Sequence, residues 1–273
     1  MTGSGIRVTF LGTGTSVGVP VLTCDCRVCT SGDPRNNRLR AGLLLEWMGG
    51  GGTDDQPDRT AKVLVDTSID FRQQALRIGL DRVDAVIYTH QHADHLLGLD
   101  DLRIYNFRQR AAIPLYGNAE TMAAIEHTFK YAFVPGVTGV PRLTLHRVNE
   151  AFELLGRLIT PISVWHDSMR IYAYRIGSFA YITDCSEIPA EAAEQLMGLD
   201  LLAIDSLRRE PHPSHFTLDQ ALEQIERLKP ERALLTHLSH EFDHASLEAE
   251  VGESVGVAYD GLVIEVADRQ EPA

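Results

Sequence analysis

Lysine is nearly absent from this chain of 273 residues: only Lys62, Lys130 and Lys229 occur, and the rest of its 25 basic residues are arginines. Acidic residues outnumber them at 38, for a formal net charge of −13. Broad, sequence-blind binding to nucleic acid draws on basic surface that neutralises phosphates, so this balance argues against a nucleic-acid partner. Arginine suits bidentate contacts with phosphate, and a local basic pocket stays open. No apolar run approaches the roughly 20 residues that a membrane helix needs. Residues 1–9 carry no long apolar segment behind a basic patch, so neither a membrane span nor a secretory leader is expected. Cysteine is scarce too: four residues, three of them within six positions. A disulfide framework spreads its cysteines to close loops. This cluster suits a metal and a reducing compartment instead, and the cytoplasm is the expected location.

What is present reads as an ordinary globular composition, with 44% apolar and 23% charged residues. Residues 6–11 read as a strand that ends in Gly12-Thr13-Gly14. An irregular, cysteine-rich segment follows, at about 15–40. Apolar runs at 43–47, 62–65, 83–89, 143–148, 159–165, 171–176, 179–183, 201–205, 233–236 and 263–266 are strand candidates. Helical spacing covers 71–78, 97–108, 119–131 and 218–228; Thr217 is the expected N-cap of the last, and Pro230 lies just beyond its end. The glycine-rich stretch 49–57 is expected to be a hairpin tip without chemistry. Strands and helices alternate throughout, which implies sheets covered by helices, and no linker divides residues 1–273.

Thr89-His90-Gln91-His92-Ala93-Asp94-His95 follows one of these strand runs. Where a strand ends and the chain turns, side chains at such spacing converge on a small volume. Imidazole and carboxylate together suit borderline divalent metals. Four candidate ligands in six residues exceed what one catalytic metal takes from one segment, since such a site keeps an open position. Two metals follow. Further ligands are sought after other strand runs, where His166, Asp184 and His237 stand.

Those residues together resemble the metallo-β-lactamase superfamily, and the resemblance covers nearly the whole chain in the right order. It implies an α/β fold: a four-layer sandwich of two mixed β-sheets with outer helices and the metals at one edge. By that resemblance His90, His92 and His166 hold one metal. Asp94, His95 and His237 hold the other, and Asp184 bridges the two. The metals expected are Zn²⁺ or Mn²⁺. The redox branch of the superfamily usually has Glu where His92 stands, so His92 favours a hydrolase. Asp66, at another strand end, resembles the family's aspartate that orients ligands by hydrogen bonding.

Cys24-Asp25-Cys26-Arg27-Val28-Cys29 supplies three thiolates for a structural tetrahedral Zn²⁺ that lacks one ligand. The fourth is sought at Cys185 or His240. Cys185 adjoins Asp184, whereas His240 leaves the strand of His237 and is free to face away, so His240 is preferred. With Gly12-Thr13-Gly14, Gly18-Val19-Pro20 and Thr236–Asp243, the cluster is similar to the phosphoribosyl 1,2-cyclic phosphate phosphodiesterases. In those enzymes a Cys₃His zinc sits beside the dinuclear centre.

The function expected is hydrolysis of a small cyclic phosphate, a phosphorylated sugar in particular. Two metals about 3.5–4 Å apart share a hydroxide that attacks phosphorus. A ribose oxygen is a poor leaving group, so a general acid is needed. His215 is the first candidate and His212 its rival; Asp94 is the other residue assigned to catalysis. Arg208 and Arg209, in the same loop, are candidates for a distal phosphate. A tRNA 3′-processing-type endonuclease and a thioester or lactone hydrolase are the alternatives on the same metals. The resemblance also implies a homodimer.

Overall fold

The computed structural model describes residues 5–49 and 59–267. Most of the glycine-rich stretch expected as a hairpin tip lies outside the described residues. The chain forms strands β1 (Ile6–Gly12), β2 (Gly42–Met48), β3 (Thr60–Val65), β4 (Ala85–Ile87), β5 (Ile113–Gly117), β6 (Leu143–Arg147) and β7 (Phe152–Leu154). It continues with β8 (Arg157–His166), β9 (Met169–Ile176), β10 (Phe179–Ile182), β11 (Leu201–Asp205), β12 (Arg232–Thr236), β13 (Val255–Val257) and β14 (Val263–Val266). The helices are α1 (Phe71–Ile78), α2 (Ala93–Leu96), α3 (Leu102–Gln109), α4 (Ala119–Thr128), α5 (Ala190–Gln195), α6 (Leu218–Leu228) and α7 (His244–Val251).

Among the described residues the strands form two sheets, in the orders β14-β1-β2-β3-β4-β5-β6 and β13-β12-β11-β10-β9-β8-β7. Both are mixed. In the first, β14, β1, β2 and β3 pair antiparallel, and β3 to β6 run parallel. In the second, β7 to β10 pair antiparallel, and β10 to β13 run parallel. This is the metallo-β-lactamase α/β sandwich.

The continuous apolar runs have a simple cause. A strand covered on both faces sends alternate side chains into two different cores. Phe179 and Tyr181 point between the sheets, with Leu43, Leu45, Trp47 and Val63 from the other sheet. Ala180 and Ile182 point outward, to the core shared with α5, α6 and α7. Leu44 and Leu64 likewise face the core beneath α1, α3 and α4. Each buried Leu, Ile or Phe stabilises the fold by about 1.5–3 kcal/mol, so a polar substitution at either parity is costly.

Two expected elements are shorter than their apolar runs. The run 83–89 yields only Ala85–Ile87 as strand. The Gln109 side chain takes over the backbone of Val83, accepting its N–H at 2.9 Å and donating to its carbonyl at 2.8 Å. The single helix expected over 97–108 splits into a 3₁₀ turn, Leu97–Asp101, and α3. Gly98 lies in that turn, and a Cβ there would stand 2.0 Å from the carbonyl oxygen of Ser68. Its glycine lets the segment after the histidine motif sit directly on the loop after β3. Helix α6 forms as expected, with Thr217 and Gln220 in a reciprocal capping box. No helix among the described residues is long and apolar enough to cross a membrane.

Candidate active site

Parallel strands put their carboxyl ends along one edge, and the loops leaving those ends form the crevice of an open α/β sheet. Asp66 follows β3, His90 lies just beyond β4, Asp184 follows β10, Asp205 ends β11 and His237 follows β12. Strand β8 runs in the same direction as β10, and His166 is its last residue. Asp66, Asp184 and His237 all have left-handed backbones, with φ of 64°, 54° and 57°. Such a conformation costs a residue other than glycine about 1–3 kcal/mol and clusters at functional sites. Here it turns three side chains into the same crevice immediately after a strand.

The structure brings His90, His92 and His166 together, with one nitrogen of each within 4.8 Å of the others. Asp94, His95, Asp184 and His237 form a second group by the same measure. Asp184 stands between them. Its Oδ1 is 3.2 Å from His95 Nε2, and its Oδ2 is 3.3 Å from His237 Nε2 and 4.0 Å from His90 Nε2. Asp94 Oδ2 lies 3.4 Å from His95 Nε2.

The residues present fit a pair of cations. Nε2 of His90, His95 and His237 is buried with no hydrogen-bond partner. A buried polar atom left in that state is expensive, and three converging on two carboxylates call for a shared positive charge. The electrostatics agree. Burial pushes the imidazoles of His90 and His237 down, towards the neutral form that ligates metal. Burial opposes charge on His95 as well, but Asp184, Asp94 and Asp66 override it and hold its pKa well above the ordinary value. A proton on His95 answers the same surplus of carboxylate that a cation would.

Hydrogen bonds on the far side fix these rings. His95 Nδ1–H donates to Asp66 Oδ2 at 2.7 Å, and Asp66 also accepts from the amide and hydroxyl of Thr89, each at 2.8 Å. His166 Nδ1–H donates to the carbonyl of Ser214 at 2.7 Å. His90 Nδ1 meets the Thr89 hydroxyl at 3.0 Å. Each arrangement leaves Nε2 facing the crevice.

His215 lies beside this group. Its Nδ1–H donates to Asp205 Oδ2 at 2.9 Å, and its Nε2 is 3.9 Å from Asp184 Oδ2. Asp205 also accepts from the Cys185 amide at 2.9 Å, and its Oδ1 lies 3.6 Å from His237 Nδ1. The sequence reading missed Asp205. Its signal was the one used for Asp184 and His237: a polar residue closing an apolar parallel strand. Ser214 gave no signal, because it acts through its carbonyl.

A pocket of about 350 Å³ opens from His215 and His237 towards Arg208 and His212. Arg209 is not brought into it. Its guanidinium forms a bidentate pair with Glu250, at 2.8 and 2.6 Å, and lies over the Phe242 ring. The candidacy of Arg209 for substrate phosphate is therefore corrected: neighbouring residues in an irregular loop point opposite ways.

The cysteine loop meets the loop after β12. His240 Nδ1 lies 3.3, 3.6 and 3.4 Å from the sulfurs of Cys24, Cys26 and Cys29. Tetrahedral zinc with ordinary bond lengths separates sulfur from nitrogen by about 3.6 Å, so this set fits such an ion. Cys185, the other candidate, is buried away from the cage, with its Sγ 3.4 Å from the Glu187 carbonyl. The buried guanidinium of Arg38 grips the carbonyls of Ser239 and Phe242, at 2.9 and 2.7 Å, on either side of His240.

A two-sheet sandwich with this crevice at the strand ends is the metallo-β-lactamase fold. The chain belongs to the β-lactamase superfamily: residues 61–238 match the model of the beta-lactamase superfamily domain. A solved structure described as a new diphosphatase from the PhnP family is 42% identical, with a TM-score of 0.86 over 96% of this chain and 97% of that one. An octanoyltransferase of Porphyromonas gingivalis is 38% identical over 265 residues, which are 94% of this chain and 51% of that protein. The chain thus spans about half the length of that relative. The coenzyme PQQ synthesis protein B of Methylorubrum populi is 27% identical over 233 residues, covering 73% of this chain and 72% of that protein.

Proposed function

We propose that the protein is a dinuclear metal-dependent phosphodiesterase that hydrolyses a small cyclic phosphate of the phosphoribosyl 1,2-cyclic phosphate type. The observation that carries this reading is the convergence of three unpartnered Nε2 atoms on Asp184, with the His215–Asp205 pair alongside. The similarity to a diphosphatase of the PhnP family supports phosphorus chemistry.

His90, His92 and His166 would hold one metal, Asp94, His95 and His237 the other, and Asp184 would serve both; Zn²⁺ or Mn²⁺ suits these ligands. Cys24, Cys26, Cys29 and His240 would hold one structural Zn²⁺. When bound, the catalytic pair supplies Lewis acidity towards the phosphoryl oxygens and makes water a nucleophile near neutral pH. Asp94 reaches the same space and accepts a proton from that water. Asp66 keeps the His95 ring in place. Burial pushes the His215 imidazole down, and Asp205, which accepts its Nδ1–H, offsets that cost when Nε2 takes the proton it gives to the departing sugar oxygen. The phosphorus–oxygen bond to the sugar breaks, the water oxygen bonds to phosphorus, and the His215 proton goes to the leaving oxygen.

The test is a substrate panel with quantified metals: ribose cyclic phosphates, nucleoside 2′,3′-cyclic phosphates, bis(p-nitrophenyl) phosphate, a thioester and a precursor tRNA. Preference for the ribose cyclic phosphates is expected. Cleavage of the thioester or the tRNA alone, or of nothing by metal-loaded protein, would overturn the reading.

A further inference from the structure

Ser214 and His215 are consecutive, yet they serve two sides of the crevice. The Ser214 carbonyl accepts His166 Nδ1–H at 2.7 Å, while His215 stands beside Asp184 with its Nδ1 on Asp205. The His166 and His215 rings meet edge to face, 4.8 Å between centres. We propose that His212 and Arg208 are positioning residues that brace this dipeptide, acting through Ser214 and His215 and touching neither metal nor substrate. The proposal rests on the phosphodiesterase reading above.

The loop leaves β11 and returns to α6. Its ends are tied by backbone: the Leu207 N–H donates to the Phe216 carbonyl at 3.0 Å, and the Leu218 N–H to the Arg208 carbonyl at 3.1 Å. Between those ties, side chains hold the chain. Pro211 and Pro213 have no N–H to give. Arg208 folds back over its own loop. Its Nε donates to the carbonyl of Glu210 at 3.1 Å, and its Nη2 to that of Pro211 at 2.8 Å. A rigid guanidinium fork can hold two successive carbonyls at once, which a single ammonium on a flexible stem does poorly. Two of its three nitrogens are thus spent inside the loop.

His212 holds the next turn. The Ser214 backbone N–H donates to His212 Nδ1 at 3.3 Å, and the Ser214 hydroxyl lies 3.1 Å from the same atom. A side chain that accepts the N–H two residues on makes the bond of an Asx turn, here with an imidazole. Ser214 is then fixed on both sides, by His212 at its N–H and by His166 at its carbonyl. The two histidines of the loop are wired differently. Nδ1 of His215 faces a carboxylate, whereas Nδ1 of His212 faces donors. No carboxylate backs His212, so its rivalry for the acid role gives way to bracing.

The consequence is a shared support. A ligating imidazole depends on the partner of its other nitrogen for orientation and basicity. A shift of Ser214 would turn His166 within one metal group, and the same shift would carry His215 away from the leaving oxygen.

The experiment loads the wild type and variants with Zn²⁺ and dialyses them against a graded chelator. His212→Ala should weaken one of the two catalytic metals by about 10- to 100-fold, the usual cost of losing a supporting partner, and leave the other metal and the cage zinc in place. His212→Asn should restore it, because an amide oxygen accepts the same N–H. Ser214→Ala should change little, since its part is played by backbone. Arg208→Lys should fail as Arg208→Ala does, because it keeps the charge but not the fork. With metal saturating, His212→Ala should lower kcat on an alkyl phosphodiester at unchanged KM and spare bis(p-nitrophenyl) phosphate. In ¹H NMR spectra of the zinc-loaded protein, the His166 Nδ1–H should give a slowly exchanging downfield signal that His212→Ala loses and His212→Asn recovers. Retention of both metals and that signal in His212→Ala, an asparagine no better than alanine, or an Arg208→Lys variant equal to wild type would each overturn the brace. A wild type that holds both metals yet cleaves no phosphodiester refutes the parent reading alone, and the metal and NMR measurements still decide the brace. A wild type that holds no catalytic metal refutes both.

Discussion

His215 Nδ1 and Asp205 Oδ2 meet at 2.9 Å, inside the protein, at the edge of the histidine–aspartate cluster. The carboxylate selects the tautomer with the proton on Nδ1 and stabilises the imidazolium when Nε2 takes a second proton. Positioned acids of this kind contribute about 10²–10⁴-fold to rate. His215→Ala should slow an alkyl phosphodiester by that order and bis(p-nitrophenyl) phosphate far less, because nitrophenolate leaves without a proton. Asp205→Asn should show the same selectivity in milder form. Equal losses on both substrates would remove His215 from the acid role.

Asp66 accepts three hydrogen bonds, from Thr89 twice and from His95. Asp66→Asn removes the charge that orients the His95 ring and places an amide donor among donors. Changes to such supporting partners typically cost about 10- to 100-fold in metal affinity. Equilibrium dialysis against a chelator should show that loss at the catalytic pair. Unaltered affinity would make Asp66 a mere strand-end carboxylate.

Cys26→Ser should lose the zinc of the thiolate cage and lower Tm, because the cage ties the cysteine loop to the loop of His240. The catalytic metals should largely stay in place. Metal analysis alongside calorimetry tests this. Activity lost at unchanged Tm would contradict a structural role.

Asp243 caps α7, accepting from the Ser246 amide at 3.1 Å and hydroxyl at 2.7 Å, and it accepts from Asn36 Nδ2 at 2.9 Å. The bonds from Ser246 and then Asn36 lower its carboxyl from the ordinary 3.8 to about 2. The folded state thus binds this proton less readily than the unfolded state. The stability it contributes is complete above about 3.8 and drains away as the pH falls through about 2. Asp243→Ala should cost about 0.5–2 kcal/mol at neutral pH, and the gap from wild type should narrow in acid. A gap that widens in acid would show that the cap is not the cause.

Local patterns in the sequence carried much of this. Alternate side chains feeding two cores produce unbroken apolar runs, so most strands could be read directly, as could the helix that Thr217 caps. The strands β5, β7 and β13, of three to five residues, escaped. The histidine motif and the cysteine cluster were legible because their members are adjacent in the chain.

Which atoms meet was a matter of the fold. Arg208 and Arg209 are adjacent in sequence, yet one lines the pocket while the other is held by Glu250 and Phe242, far along the chain. Asp205 looks like any strand end until β10, β11 and β12 lie parallel and set it behind His215 and His237. The sequence by itself determined which residues can ligate and where strands end, since composition and periodicity are local. Only the tertiary structure decided partners, ring orientation and proton positions, because those depend on distances between segments that no local pattern encodes.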